Sequence, residues 1–244
     1  MDLILTWSDN IDYPLFRHFI NNYRQHFASI NVYLSHKNME LNITNFLMDE
    51  LSRMGVAVNR EPWEIESKAR DWRDHAVNSC LQFCHSDWLW FIEPDFFIKD
   101  FNKFYETVKK NLDGLDALGF IDANRLHPAC LFFRRDKLEK TSRDFSAAPP
   151  KWDHYGQFSQ EIFTKLRWTE LYKIGLVDYV DWYHHGGLTQ NYNLVQEGKE
   201  PNYNLNNFLV YNAASRTDLV TQCQQYLDLT HKAELLISDI KKFI

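Results

Sequence analysis

Trp88-Leu89-Trp90-Phe91-Ile92-Glu93-Pro94-Asp95 is the stretch whose reading decides the fold. Its five leading apolar residues have the length and composition of a fully buried strand. Two carboxylates follow at i and i+2, with Pro94 between them. Pro94 stiffens the backbone there and blocks continued pairing as a central strand. Acidic groups at the mouth of a sheet repel each other and lose hydration. A divalent cation offsets both costs, and hard oxygen ligands suit Mg²⁺ or Mn²⁺, which then bind phosphates.

Upstream of this segment, short apolar runs alternate with amphipathic stretches. Leu3-Ile4-Leu5, Val32-Tyr33-Leu34 and Val56-Ala57-Val58 read as strands. Between them, apolar residues recur at helical spacing from Leu15 to Phe27 and from Leu41 to Met54, where Gly55 ends the helix. Ala69, Trp72, Ala76, Cys80 and Phe83 mark a third helix before Trp88. This βαβαβαβ order predicts a mostly parallel sheet flanked by helices. Ligands of such sheets sit at the carboxyl ends of the strands, which places Thr6-Trp7-Ser8 and Glu93 on one rim.

The second half is less regular. Leu115 to Ile121, Ala129 to Phe133 and Leu176 to Val180 are expected strands, and Phe158 to Leu166 an expected helix. Ser142 to Trp152 reads as a loop, residues 189 to 207 as polar chain, and residues 216 to 244 as a C-terminal helix with one apolar stripe. No repeat or linker stands out, so residues 1 to 244 read as one domain.

Composition narrows the function classes. The 244 residues carry a formal net charge of -6, and no long basic run is present, which argues against a nucleic-acid binder. The chain has 8 glycines and neither GxGxxG nor GxxxxGK[ST], so phosphates need another mode of binding. No run of about 18 apolar residues predicts a membrane span. MDLILTW is too short and too acidic for a signal peptide, so the cytoplasm is the expected compartment. The four cysteines do not read as a disulfide framework. Cys80-Cys84-His85 lacks a matching second pair and reads as buried helix thiols, not as a zinc site. No Ser-His-Asp or Cys-His hydrolase motif stands out.

Glu93-Pro94-Asp95 resembles the DxD-type motif of GT-A glycosyltransferases. The run from Arg73-Asp74-His75-Ala76-Val77-Asn78 to Asp87-Trp88-Leu89-Trp90-Phe91-Ile92 is similar to the lead into that motif in the family-2-like branch. The resemblance covers residues 1 to 135 in element order and is motif-level from Arg73 to Phe97. It implies a nucleotide-diphosphate sugar donor, a uridine one by family analogy, and a divalent metal, Mn²⁺ or Mg²⁺. The acceptor implied is a hydroxyl, on a glycan in polysaccharide synthesis. Residues 1–98 then form the nucleotide-sugar half, 99–215 the acceptor and catalytic half, and 216–244 the C-terminal helix.

The resemblance carries over residue by residue. Asp95 matches the metal ligand, whereas Glu93 departs from the usual first Asp and reads as a ligand or as a ribose or water-mediated contact. Asp181-Trp182-Tyr183-His184-His185-Gly186-Gly187 looks like the late His-Gly segment that completes the metal shell. Adjacent strand residues face opposite ways, so His184 and His185 stay alternatives, with a lean to His185. Arg73 and Asp74 match nucleotide-contact positions, and Thr6, Trp7 and Ser8 fall near base or ribose. Inverting members take a general base from the second half, for which Asp153 stands first and Glu161 second. Two other readings share these features: a non-catalytic sugar-nucleotide or glycan-binding module of the same fold, and a nucleotidyltransferase. The latter usually carries a Gly-rich basic N-terminal loop, which Leu5-Thr6-Trp7-Ser8-Asp9 does not offer.

Overall fold

The computed structural model describes residues 1–7, 20, 23–35, 41–66, 71–93, 96–122, 124–147, 155–178 and 180–184. Strands β1 (Asp2–Trp7), β2 (Ser29–Leu34), β3 (Ala57–Asn59) and β4 (Trp88–Ile92) carry the first half. Helices α1 (Leu41–Arg53), α2 (Trp63–Glu66) and α3 (Trp72–Leu81) connect them. Then come β5 (Phe96–Ile98), α4 (Phe101–Asn111), β6 (Ala117–Asp122) and β7 (Arg125–Arg134). Helix α5 (Gly156–Lys165), β8 (Trp168–Glu170) and β9 (Trp182–His184) follow. The main sheet runs β3-β2-β1-β4-β7-β6-β8, and β5 pairs with β9 in a separate ribbon. All pairings in the main sheet are parallel except those of β7, which runs against β4 and β6.

Strand alternation builds a core on each face of this sheet. Leu3, Leu5, Val32, Trp90 and Ile92 point to the side covered by α1 and α4. Ile4, Tyr33, Leu89 and Phe91 point to the side covered by α3 and α5. Trp90 is fully buried and stacks on Phe132 at a centroid distance of 4.6 Å and on Phe101 at 5.9 Å. The first-half strands, and the helices expected over Leu41 to Met54 and Ala69 to Phe83, form where their periodicity predicts, with β3 one residue later than expected. The helix expected from Leu15 to Phe27 lies for the most part outside the described residues, of which Arg24–His26 make a 3-10 turn. Gly55 closes α1 in the left-handed region, at φ 74°, a conformation that costs glycine nothing.

Between Asp95 and Leu115 the sequence reading named no element, and the structure supplies β5 and α4. Asp100 caps α4 by accepting from Lys103 N at 3.0 Å. Phe101, Phe104, Tyr105 and Val108 form its buried stripe. The expected strand Leu176–Val180 does not form. Residues Leu171–Ile174 make a 3-10 turn, Gly175 takes φ 82°, and Asp181 Oδ2 accepts from Val177 N at 2.9 Å. The Asp181 side chain thus captures a backbone donor that a ladder would need, and the strand starts at Trp182.

One irregularity positions everything that follows. The β6–β7 register jumps from Gly119↔Leu131 to Ile121↔Leu126, so a single residue of β6, Phe120, faces residues 127 to 130 of β7. Pro128 sits in this swelling, where its missing N–H breaks no ladder bond. Gly119 lies at its edge, and a Cβ there would stand 2.7 Å from the backbone oxygen of Cys130. Gly119→Ala is therefore expected to cost about 1–3 kcal/mol of stability, the range for overpacking a tight interior, read as a lowered urea midpoint. An unchanged midpoint would show that the two strands separate freely there.

Candidate functional site

The carboxyl ends of the parallel strands form one polar rim. The β1–β4 register, Ile4↔Phe91, places Thr6 level with Glu93. Trp7 ends β1 beside Leu34 of β2. At the end of β2, the Ser35 hydroxyl donates to Glu66 Oε1 at 2.5 Å and the Tyr33 phenol to Glu66 Oε2 at 3.1 Å. The Glu66 carboxylate is buried and anchors α2 against the rim.

Glu93 is clamped through its backbone. Its N–H donates to the Ala129 carbonyl at 3.1 Å, and its own carbonyl accepts from Phe96 N at 3.1 Å. That clamp turns the chain from β4 into β5, whose Phe96 pairs with His184 of β9. His184 Nε2 then lies 3.3 Å from Glu93 Oε2. His127, in the swollen part of β7, completes a cluster: one ligand atom from each of Glu93, His127 and His184 lies within 4.8 Å of the others. The two imidazole centroids are 4.7 Å apart. Phe120 stacks against His127 at 5.0 Å and Trp182 packs on Phe120 at 4.8 Å, so an aromatic wall backs both histidines. Only 6% of the His127 side chain and 14% of that of His184 is exposed, against 27% for Glu93. The carboxylate is therefore the group of the three most open to solvent.

Two of the residues singled out from sequence, Glu93 and His184, are thus brought together. His127 was not singled out. Its signal is a His-Pro pair interrupting the apolar run Leu126 to Phe133, the composition of a bulge beside a site. Ser8, Asp95, Asp153 and His185 lie outside the described residues, as does the C-terminal helix. Arg73 lies at the start of α3 with its guanidinium 4.8 Å above the Trp72 ring.

Several acidic groups hold structure instead of facing the cluster. Asp71 caps α3 through Arg73 N at 2.9 Å and also accepts from Ala147 N at 2.8 Å. Asp74 accepts from Phe145 N at 2.7 Å and from Asn78 at 3.2 Å. Burial raises the Asp74 pKa, an effect the Phe145 N–H only partly opposes. Across from them, Phe145 O accepts from Tyr155 N and Ser146 O from Gly156 N, so residues 145–147 tie α3 to the start of α5. Burial holds the Tyr155 phenol well above its usual range, and the Glu93 charge adds to that effect. Asp181 ties β9 to α4 through Lys103 Nζ at 2.5 Å. Burial pushes the Cys84 thiol up to about 12, and it raises the Cys80 and Cys130 thiols as well, so these cysteines are neutral packing groups.

Glu161 is buried, with Ser142 N at 2.7 Å and Ser142 Oγ at 3.0 Å on one oxygen and Lys165 Nζ at 2.9 Å on the other. Burial opposes ionisation, but these donors outweigh it and lower the pKa. A depressed folded-state pKa contributes stability above the unfolded value, and that contribution is lost as pH falls through the folded one. Glu161→Gln is therefore expected to be less stable than wild type at neutral pH. The gap should narrow as the pH drops below the ordinary carboxylate range, read from denaturant midpoints. A pH-independent gap would contradict the assignment.

No family model matches the chain, and no curated protein does. Among solved structures, S. aureus TarS (residues 1–349) superposes with a TM-score of 0.52 at 11% identity, covering 76% of this chain and 60% of that one. A mannosyltransferase from Pyrobaculum calidifontis, in complex with GDP-Man and Mn²⁺, gives 0.49 at 13% identity, covering 69% of this chain and 53% of that one. Mannosyl-3-phosphoglycerate synthase from Rubrobacter xylanophilus gives 0.48 at 11%, covering 84% and 77%. The chain thus spans little more than half the length of the first two. At such identities the likeness is one of fold, and the fold is GT-A-like: a mostly parallel sheet between helices, with β7 reversed.

Proposed function

We propose that this chain is a glycosyltransferase. It moves a sugar from a nucleoside-diphosphate donor, a uridine one by family analogy, to a glycan hydroxyl with inversion, using Mn²⁺ or Mg²⁺. The observation that carries the reading is the cluster of Glu93 with two imidazoles at the carboxyl rim of the sheet, where ligands of such sheets bind.

The donor set suits a cation. Ligands on one ion at about 2.1 Å each stand about 3 Å apart when adjacent, and Glu93 Oε2 to His184 Nε2 is 3.3 Å. Carboxylate with imidazole accepts Mn²⁺ and its neighbours in the divalent series. Glu93 and His184 would hold the ion, with Asp95 and His185 as further ligands from the sequence. When bound, the cation supplies charge stabilisation to the departing diphosphate.

The chain's own residues do the rest. Thr6 and Trp7 line the nucleoside end of the rim, with Ser8 next to them in sequence, and Arg73 and Asp74 flank it from α3. Asp153 takes the proton from the acceptor hydroxyl. It lies two residues before Tyr155, the buried phenol that senses the Glu93 charge. Glu161 is the weaker choice, because a general base near neutral pH needs a raised pKa, and donors occupy both of its oxygens.

The test is a thermal-shift panel of nucleotide sugars with and without Mn²⁺, followed by donor hydrolysis assays. A donor-specific, Mn²⁺-dependent rise in Tm is expected in the wild type and lost in Glu93→Gln and Asp95→Ala. Asp153→Asn should keep that rise while hydrolysis and transfer fall about 10²–10⁴-fold. A metal-dependent rise with no turnover in the wild type would mark a binding module. Release of pyrophosphate from a nucleoside triphosphate would mark a nucleotidyltransferase. The absence of any shift would remove the donor-binding reading altogether.

A further inference from the structure

His127 is set apart from the other members of its cluster by what its ring can offer. Its Nδ1 accepts a hydrogen bond from the backbone N–H of Ala129 at 3.1 Å. A backbone N–H only donates, so this bond requires a lone pair on Nδ1. In a neutral imidazole one ring nitrogen carries the proton and the other the lone pair. The proton of His127 is therefore on Nε2, and a protonated Nε2 has no lone pair for a metal. Metal-binding histidines show the reverse polarity, donating their second nitrogen's proton to a carbonyl, carboxylate or water.

The local chain builds this polarity in. Pro128 lies between His127 and Ala129 and fixes φ of the intervening residue. Ala129 is clamped in turn, since its carbonyl receives the Glu93 N–H at 3.1 Å. The ring is buried under Phe120. His127 Nε2 lies 3.9 Å from Asp122 Oδ2, and a ring nitrogen of His127 lies within 4.8 Å of a Glu93 carboxylate oxygen.

We propose that His127 is a fixed N–H donor of this site and not a ligand of its cation. It positions the Glu93 carboxylate and presents the same N–H to a phosphate oxygen when a nucleoside diphosphate occupies the rim. This assignment rests on the cation and donor reading above for its purpose, but the polarity of His127 stands on the Ala129 contact alone. Of the clustered residues, the cation then takes Glu93 and His184 only.

The experiment is ring-nitrogen NMR on the full chain labelled with ¹⁵N-histidine, recorded first without metal and then with Zn²⁺ as a diamagnetic probe. His127→Gln and His184→Gln assign the signals. Without metal, His127 should show a protonated Nε2 and an unprotonated Nδ1. On adding Zn²⁺, a ring nitrogen of His184 should move into the metal-bound range while His127 Nε2 keeps its proton. Titration of UDP in the presence of Mg²⁺ should be about tenfold weaker for His127→Ala than for wild type, the scale for losing a bond to a charged acceptor. A proton on Nδ1 in the metal-free protein overturns the proposal, as does loss of the Nε2 proton on adding Zn²⁺. Unweakened UDP binding by a folded His127→Ala overturns the phosphate contact. If Zn²⁺ leaves the His184 signals unmoved, the cation reading fails, and the metal-free spectrum still decides the polarity of His127.

Discussion

The hydrogen bond from Glu93 N–H to the Ala129 carbonyl is the constraint on which the rim depends. It joins the end of β4 to the part of β7 where four residues face one of β6. On its other side the Glu93 carbonyl takes the Phe96 N–H, so the peptide is held from both directions. With both backbone groups committed, the carboxylate has a defined origin. The same bond brings the His127 segment up to the rim, and the turn it enforces sends the chain into β5, against which β9 delivers His184. Three chain segments far apart in sequence meet because one strand ends where another bulges.

Packing explains why this meeting place is rigid. Trp90 and Ile92 on one face, and Leu89 and Phe91 on the other, are buried to within a few per cent. Displacing β4 would disturb both cores at once, and close-packed interiors resist such shifts. The aromatic content serves this architecture directly. Phe96, Phe120 and Trp182 stack in sequence beneath the imidazoles. This apolar floor limits hydration of the cluster and strengthens its electrostatics.

The first half of the fold was legible because its signals are local. A buried strand such as Trp88–Ile92 and a helix ended by Gly55 announce themselves within a dozen residues. Glu93 was legible as a carboxylate at a strand end, behind Asp95 as a ligand, and His184 only as one of an adjacent pair with the lean to His185, because the face a strand residue takes is set by its pairing partner. What stayed hidden depends on pairing between distant segments. His127 acquires its place from a register jump that no single stretch encodes. The misread strand at Leu176–Val180 has a similar cause: Val177 N–H donates to the Asp181 side chain and Leu176 N–H to the Leu171 carbonyl across the turn at Gly175, and composition alone does not show which competitor wins. Glu161 illustrates the converse, since a carboxylate in a plausible place proves to be engaged by Ser142 and Lys165.

The paired carboxylates at the head of α3 bear on how such a protein can diversify. Asp71 and Asp74 hold Ala147 and Phe145 by their amides, while Phe145 and Ser146 receive the amides of Tyr155 and Gly156. Residues 145–147 and the start of α5 are thereby fastened to each other and to α3. Closure of a flexible segment becomes more costly by only about 0.6 kcal/mol for each doubling of its length. Added length between those anchors therefore costs little, and the sheet and the Glu93–His184 rim keep their own contacts. Sequence change between Ala147 and Tyr155 is thus decoupled energetically from the sheet, the arrangement in which a connection varies while the scaffold beneath it stays put.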